Sequence, residues 1–128
     1  MERETFEKLV EEGIARIPEK FRDRMDNVAF FVEDEPSVAV REKEGLGHNE
    51  TLLGYYHGIP TDERGEGYGG LAMPDTIFIY QKPIEEEAGG DPERIREVVA
   101  ETVWHEIGHH FGLDEHEVRE RERKKFFR

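Results

Sequence analysis

The sequence predicts an α+β domain in which a small mixed β-sheet packs against an N-terminal helix and a C-terminal helix. Three observations carry this. Residues 4–17 hold apolar side chains at helical spacing, three short β-rich runs occupy the middle of the chain, and residues 91–112 read as a capped amphipathic helix. At 128 residues with no sign of an internal repeat, the chain is expected to form a single domain spanning residues 1–128.

Phe6, Leu9, Val10, Ile14 and Ile17 share one helical face until Pro18, which predicts a first helix over residues 4–17. Phe21 and Met25 extend the pattern by a further turn or two. Val28 to Val32, between Asn27 and Asp34, reads as a strand. Residues 34–50 are polar, and Val38 and Val40 give their only hint of a strand. Leu52 to His57 and Thr76 to Tyr80 read as further strands, giving a sheet of three or four.

Between those strands, residues 58–70 are rich in glycine and charge and read as a surface loop. The run Gly65-Glu66-Gly67-Tyr68-Gly69-Gly70 is not a phosphate loop, because it carries a carboxylate and lacks a Gly-Lys-Ser/Thr ending. Residues 85–90 read as a polar joint. Asp91-Pro92 then supplies an N-cap with proline at the first helical position. Ile95, Val98, Val99, Thr102 and Val103 form one apolar face, and Trp104, Ile107 and Phe111 form a second strip. Glu93, Glu97 and Glu101 fall on the far side. Residues 115–125 predict a short, highly charged C-terminal helix, with Phe126 and Phe127 available to hold it to the core.

The composition narrows the functions available. A net charge of −13 argues against nucleic acid and anionic membranes as partners. No apolar run approaches a transmembrane span, the N-terminus lacks a signal-peptide pattern, and cysteine is absent, so a cytoplasmic protein is expected. Without cysteine there is no thiol nucleophile, and the lone Ser37 sits in no nucleophile-elbow pattern. Scarce amides and abundant Glu, Lys and Arg resemble the composition of thermophile proteins.

Chemistry concentrates at residues 105–116, His-Glu-Ile-Gly-His-His-Phe-Gly-Leu-Asp-Glu-His. His105 and His109, four residues apart on a helix, project about 40° apart around its axis, and Glu106 leaves about 100° further round. Two imidazoles that can hold zinc and an adjacent carboxylate base are the components of metal-activated water chemistry. Gly112 favours a helix stop in the left-handed conformation, which would return the chain towards the metal. Asp114, Glu115 and His116 are the candidates for a third ligand. Asp114 with Glu117 reads as a capping box, and imidazole and carboxylate both suit zinc, so residue chemistry leaves Glu115 and His116 open.

The stretch resembles the extended HExxHxxGxxH/D pattern of metzincin-type metallopeptidases. More closely, the chain is similar to a small bacterial family of zincin-like, or minimal, metalloproteases. The segments LLGYYHGIP (residues 52–60) and PDTIFIYQKPI (residues 74–84) resemble strand segments of that family, so the likeness spans most of the chain. It implies a zincin-like minimal fold, zinc as cofactor and a peptide or protein as substrate. It also implies that a rim strand binds the substrate in extended form.

Matched residue by residue, it makes His105, His109 and Glu115 the zinc ligands, Glu106 the general base and Gly112 the turn. Position 115 carries Glu where the family pattern carries Asp, and no Met follows the motif to form a Met-turn. His57, Tyr55, Tyr56 and Tyr68 are available to stabilise an oxyanion, and His110 either supports the metal helix or lies on the surface. A second class of function fits the same residues: a metal-binding or protein-interaction module that retains the fold without peptidase activity.

Overall fold

A computed structural model describes residues 1–25, 27–58 and 75–112. The order of elements is α1 (Arg3–Ala15), α2 (Glu19–Arg22), β1 (Val28–Glu33), α3 (Val38–Lys43), β2 (Gly54–His57), β3 (Asp75–Tyr80), α4 (Gln81–Glu87) and α5 (Pro92–His110). The strands form one mixed sheet in the order β1-β3-β2. β1 runs parallel to β3, with Phe30 opposite Ile77, and β2 runs antiparallel to it, with Tyr56 opposite the same Ile77. The α+β class and the small mixed sheet expected from the sequence are therefore present. The charged C-terminal helix and most of the glycine-rich loop lie outside the described residues.

α5 is the spine of the fold. Its N-terminus forms as the sequence implies: the Asp91 carboxylate accepts from the Glu93 N–H at 3.4 Å, and Pro92 opens the first turn. Ile95, Val98, Val99, Thr102 and Val103 are all buried. The second strip is enclosed too, with Trp104 and Ile107 buried and Phe21 set edge-on against Trp104 at 5.3 Å between ring centroids. β2 and β3 cover one side of α5, and α1 packs along another through Phe6, Leu9, Val10 and Gly13. Each fully buried aliphatic side chain here contributes roughly 1.5–3 kcal/mol through removal from water.

Period-two burial in β3 shows how the sheet meets α5. Asp75, Ile77 and Ile79 are 1%, 0% and 0% exposed, so this face lies in the core. An aspartate thus shares the most buried face of the sheet with two isoleucines. Phe78 and Tyr80 stand on the other face with parallel rings, and Phe31 leans on Phe78 at the same surface.

Three local expectations need correction. Val38 and Val40 belong to helix α3, because the Ser37 hydroxyl caps the Val40 N–H at 3.2 Å and Arg41, Glu42 and Lys43 favour helix. The segment from Gln81, read as running on from the strand into a polar joint, is helix α4. Pro83 fits its first turn, where an N–H would lack an intrahelical partner. The strand expected from Leu52 begins only at Gly54. Among the described residues, no helix is long and apolar enough to cross a membrane.

Candidate metal centre

The last turn of α5 brings His105 and His109 together. Their Nε2 atoms lie 3.3 Å apart, with ring centroids 4.9 Å apart and planes at 74°. Two nitrogens each about 2.0–2.1 Å from one tetrahedral ion stand about 3.3–3.4 Å from each other. The pair therefore fits two corners of a tetrahedral zinc site without rearrangement. An N–H···N hydrogen bond of this length between neutral rings is a weak one. Both rings are half-buried. The carbonyl end of α5 and the protein's net charge of −13 both favour a cation here.

Glu106 points from the same turn into the wall of a cleft and is only 7% exposed. The cleft, about 470 Å³, runs along α5 between Thr102, His105 and Glu106 on one side and Leu52, Leu53 and Gly54 on the other. It adjoins a second hollow of about 940 Å³ through Thr51, Leu53 and Glu87. Gly54 is where strand and helix come closest. A Cβ there would lie 2.8 Å from Thr102 Cγ2 and 3.1 Å from Glu106 Cγ, so only glycine lets the Glu106 stem lie flat on β2. Glu101, expected on the far side of the helix, is partly buried and also lines the cleft.

α5 ends as the sequence implied. Gly112 adopts φ 79°, and its N–H donates to the His109 carbonyl at 2.9 Å. Beyond it, Asp114, Glu115 and His116 lie outside the described residues, as does Tyr68. Among the described residues, no group of three or more His, Cys, Asp or Glu side chains forms a complete metal site.

Next to the His pair along the helix lies a second polar group that the sequence did not announce. His110, which the sequence left between a supporting and a surface role, is 0% exposed. Its Nδ1 lies 2.8 Å from Asp75 Oδ2, and the Tyr56 hydroxyl donates to the same oxygen at 2.6 Å. With Asp75 ionised, His110 Nδ1 carries the proton and donates. One signal for Asp75 was available: it keeps the period of Ile77 and Ile79 and so had to face the core.

This arrangement reduces the candidates for stabilising an oxyanion. Tyr56 is committed to Asp75. Tyr55 faces away from α5 and donates to Glu44 at 3.3 Å. Burial raises the Tyr55 pKa, and the Glu44 charge and hydrogen bond raise it further. His57 is exposed at the end of β2.

No curated protein matches this sequence. A family model described as zincin-like metallopeptidase matches residues 25–125, from just before β1 through both sides of the cleft and past the motif helix. That span, together with paired imidazoles and a glutamate on one buried helix, places the chain in the zincin-like metallopeptidase family.

Proposed function

We propose that the chain is a zinc-dependent peptidase whose metal is held by His105, His109 and Glu115. The observation that carries the reading is the 3.3 Å convergence of the two Nε2 atoms, the separation that a shared tetrahedral ion requires. Glu115 lies three residues past the Gly112 turn, within the length of chain that such a turn can bring back. Two neutral imidazoles and one carboxylate would leave the site with a net positive charge when zinc is bound, suited to catalysis.

The chemistry supplied by bound zinc is Lewis acidity, which lowers the pKa of water towards neutrality and polarises a carbonyl. The other steps belong to the chain. Glu106 accepts the proton of the attacking water and returns it to the leaving amine. The walls formed by Leu53, Val98 and Thr102 exclude bulk water beside Glu106. Among the described residues β2 is the edge strand next to α5, and an extended peptide would bind along it by strand addition.

The test is turnover of a quenched peptide library by zinc-loaded protein beside Glu106→Gln. The substitution should keep one equivalent of zinc and lose at least about a hundredfold in kcat, the scale of a missing general base. Full turnover by Glu106→Gln would refute the assignment. Stoichiometric zinc uptake without turnover by the unsubstituted protein would instead favour a metal-binding module.

A further inference from the structure

His109 is the penultimate residue of α5. Helix ends fray, because the last four carbonyls lack intrahelical partners and local opening there requires little free energy. A donor pair at positions i and i+4 exists only while the turn between them stays helical. Residues 105–109 make up that last turn, so something must hold it.

We propose that Asp75, Tyr56 and His110 form a clamp that keeps the last turn of α5 helical and thereby positions His109 for metal. The inference rests on the metal site proposed above. The clamp binds the terminal helix residue to two strands at once. Asp75 begins β3, Tyr56 lies within β2, and both meet His110 through the single oxygen Oδ2. Asp75 and His110 are 1% and 0% exposed, so these bonds are shielded from water. Tyr56 also sets its ring edge-on to His110 at 6.1 Å between centroids.

The chain also packs closely against the carboxylate. A Cβ on Gly58 would fall 2.5 Å from both Asp75 Cγ and Oδ1, so the chain leaving β2 closes directly over the clamp. On the far side, Phe111 contacts His110 at 5.2 Å and Phe21 at 5.8 Å, which carries the fixed turn into the core. The three residues touch neither substrate nor metal. They are positioning residues, and they act through His109.

The experiment measures Co2+ affinity and the visible absorption of bound Co2+ in the full chain, with amide exchange of the metal-free protein. His110→Phe keeps the ring and removes the donor. Asparagine at the same position, His110→Asn, places an amide N–H near the place of Nδ1. His110→Phe should weaken Co2+ binding about tenfold, the lower range seen when a residue supporting a metal ligand is lost. It should also alter the absorption band and speed exchange at the Phe111 and Gly112 amides. Tyr56→Phe should do the same more weakly, and His110→Asn should recover most of the affinity. Ile95→Val, a destabilising change at the far end of α5, should leave Co2+ affinity unchanged.

Co2+ affinity and absorption unaltered in His110→Phe would overturn the clamp alone and leave the metal reading intact. Affinity that simply tracks global stability, including in Ile95→Val, would overturn it as well. An unsubstituted protein that takes up no Co2+ would overturn both the clamp and the site on which it rests.

Discussion

Gly54→Ala is a direct test of how β2 and α5 build the cleft. The added methyl would lie 2.8 Å from Thr102 Cγ2, 3.1 Å from Glu106 Cγ and 3.1 Å from the Phe78 carbonyl oxygen. Carbon atoms in contact prefer about 3.5–4.0 Å, so a displacement of roughly 0.7 Å or more is needed. The Phe78 carbonyl belongs to the central strand and cannot retreat, which leaves the helix side to move. Overpacking of this kind costs about 1–3 kcal/mol, and alanine recovers about 0.4–1 kcal/mol by restricting the unfolded chain. The net expectation is a loss of about 1–2 kcal/mol.

Thr102→Ser removes the nearest obstacle and keeps the hydroxyl that donates to the Val98 carbonyl at 2.7 Å. Alone it should cost about 1 kcal/mol for the lost methyl. The double variant should be more stable than the sum predicts by about 1 kcal/mol, measured by urea unfolding with unchanged m-values. Because Glu106 is displaced, Gly54→Ala should also lose up to about a hundredfold in kcat, the scale of a catalytic group misplaced by 1 Å. Zinc affinity should be retained, since the three atoms nearest the added methyl belong to Thr102, Glu106 and Phe78 and to neither histidine. Additivity within about 0.5 kcal/mol, with turnover unchanged, would refute this account of the cleft.

Burial, followed by the charges of Glu33, Tyr55 and Glu106, raises the Tyr80 pKa above its ordinary value, so the folded state favours the neutral phenol. The stability this gives is complete below the usual tyrosine range near ~10 and falls by about 1.4 kcal/mol per pH unit above it. Tyr80→Phe should remove most of that alkaline slope in denaturant titrations, leaving a smaller part from Tyr55. The Tyr80 hydroxyl has no hydrogen-bond partner among the described residues, so the variant should also gain about 1 kcal/mol at neutral pH. A loss of stability at neutral pH would count against this. Zinc at a hundred times its Kd should stabilise the protein by about 2.7 kcal/mol, and a chelator should reverse this in a thermal melt. An unchanged melting temperature would mean no site in the native state. Gly112→Ala, which forces alanine to φ 79°, should cost about 1–2 kcal/mol by urea unfolding, and no loss would place the turn elsewhere.

What could be read from the sequence was what is decided locally. The cap at Asp91-Pro92, the buried face from Ile95 to Val103 and the stop at Gly112 each depend on a few neighbouring residues, and all three appear where the pattern put them. The His105–His109 pair was legible for the same reason: four residues of helix fix it. α3 departs from the expected strand because two valines at alternate positions resemble one, whereas the Ser37 cap and the residues that follow decide for helix. α4 follows β3 without a break, and Pro83 falls in its first turn, where proline is compatible with helix. The bond between Asp75 and His110 joins residues 35 apart in sequence through a β-to-helix contact, and no local pattern encodes it.

The candidate site divides its demands between two kinds of structure. In the proposed site, metal affinity depends on one helical turn and on the clamp that ties it to Asp75 of β3 and Tyr56 of β2. The placement of Glu106 relative to a bound peptide depends instead on the seam between α5 and β2, where Gly54 sets the spacing. Perturbations should therefore separate. Changes at the seam should lower turnover while metal stays bound, and changes at the clamp should lower metal affinity while Glu106 keeps its contact with β2. A catalytic carboxylate beside its metal ligands on one helix would ordinarily tie these two properties together. Here the proposed site gives them separate supports, Gly54 for the Glu106 stem and the Asp75–Tyr56–His110 clamp for the His105–His109 turn.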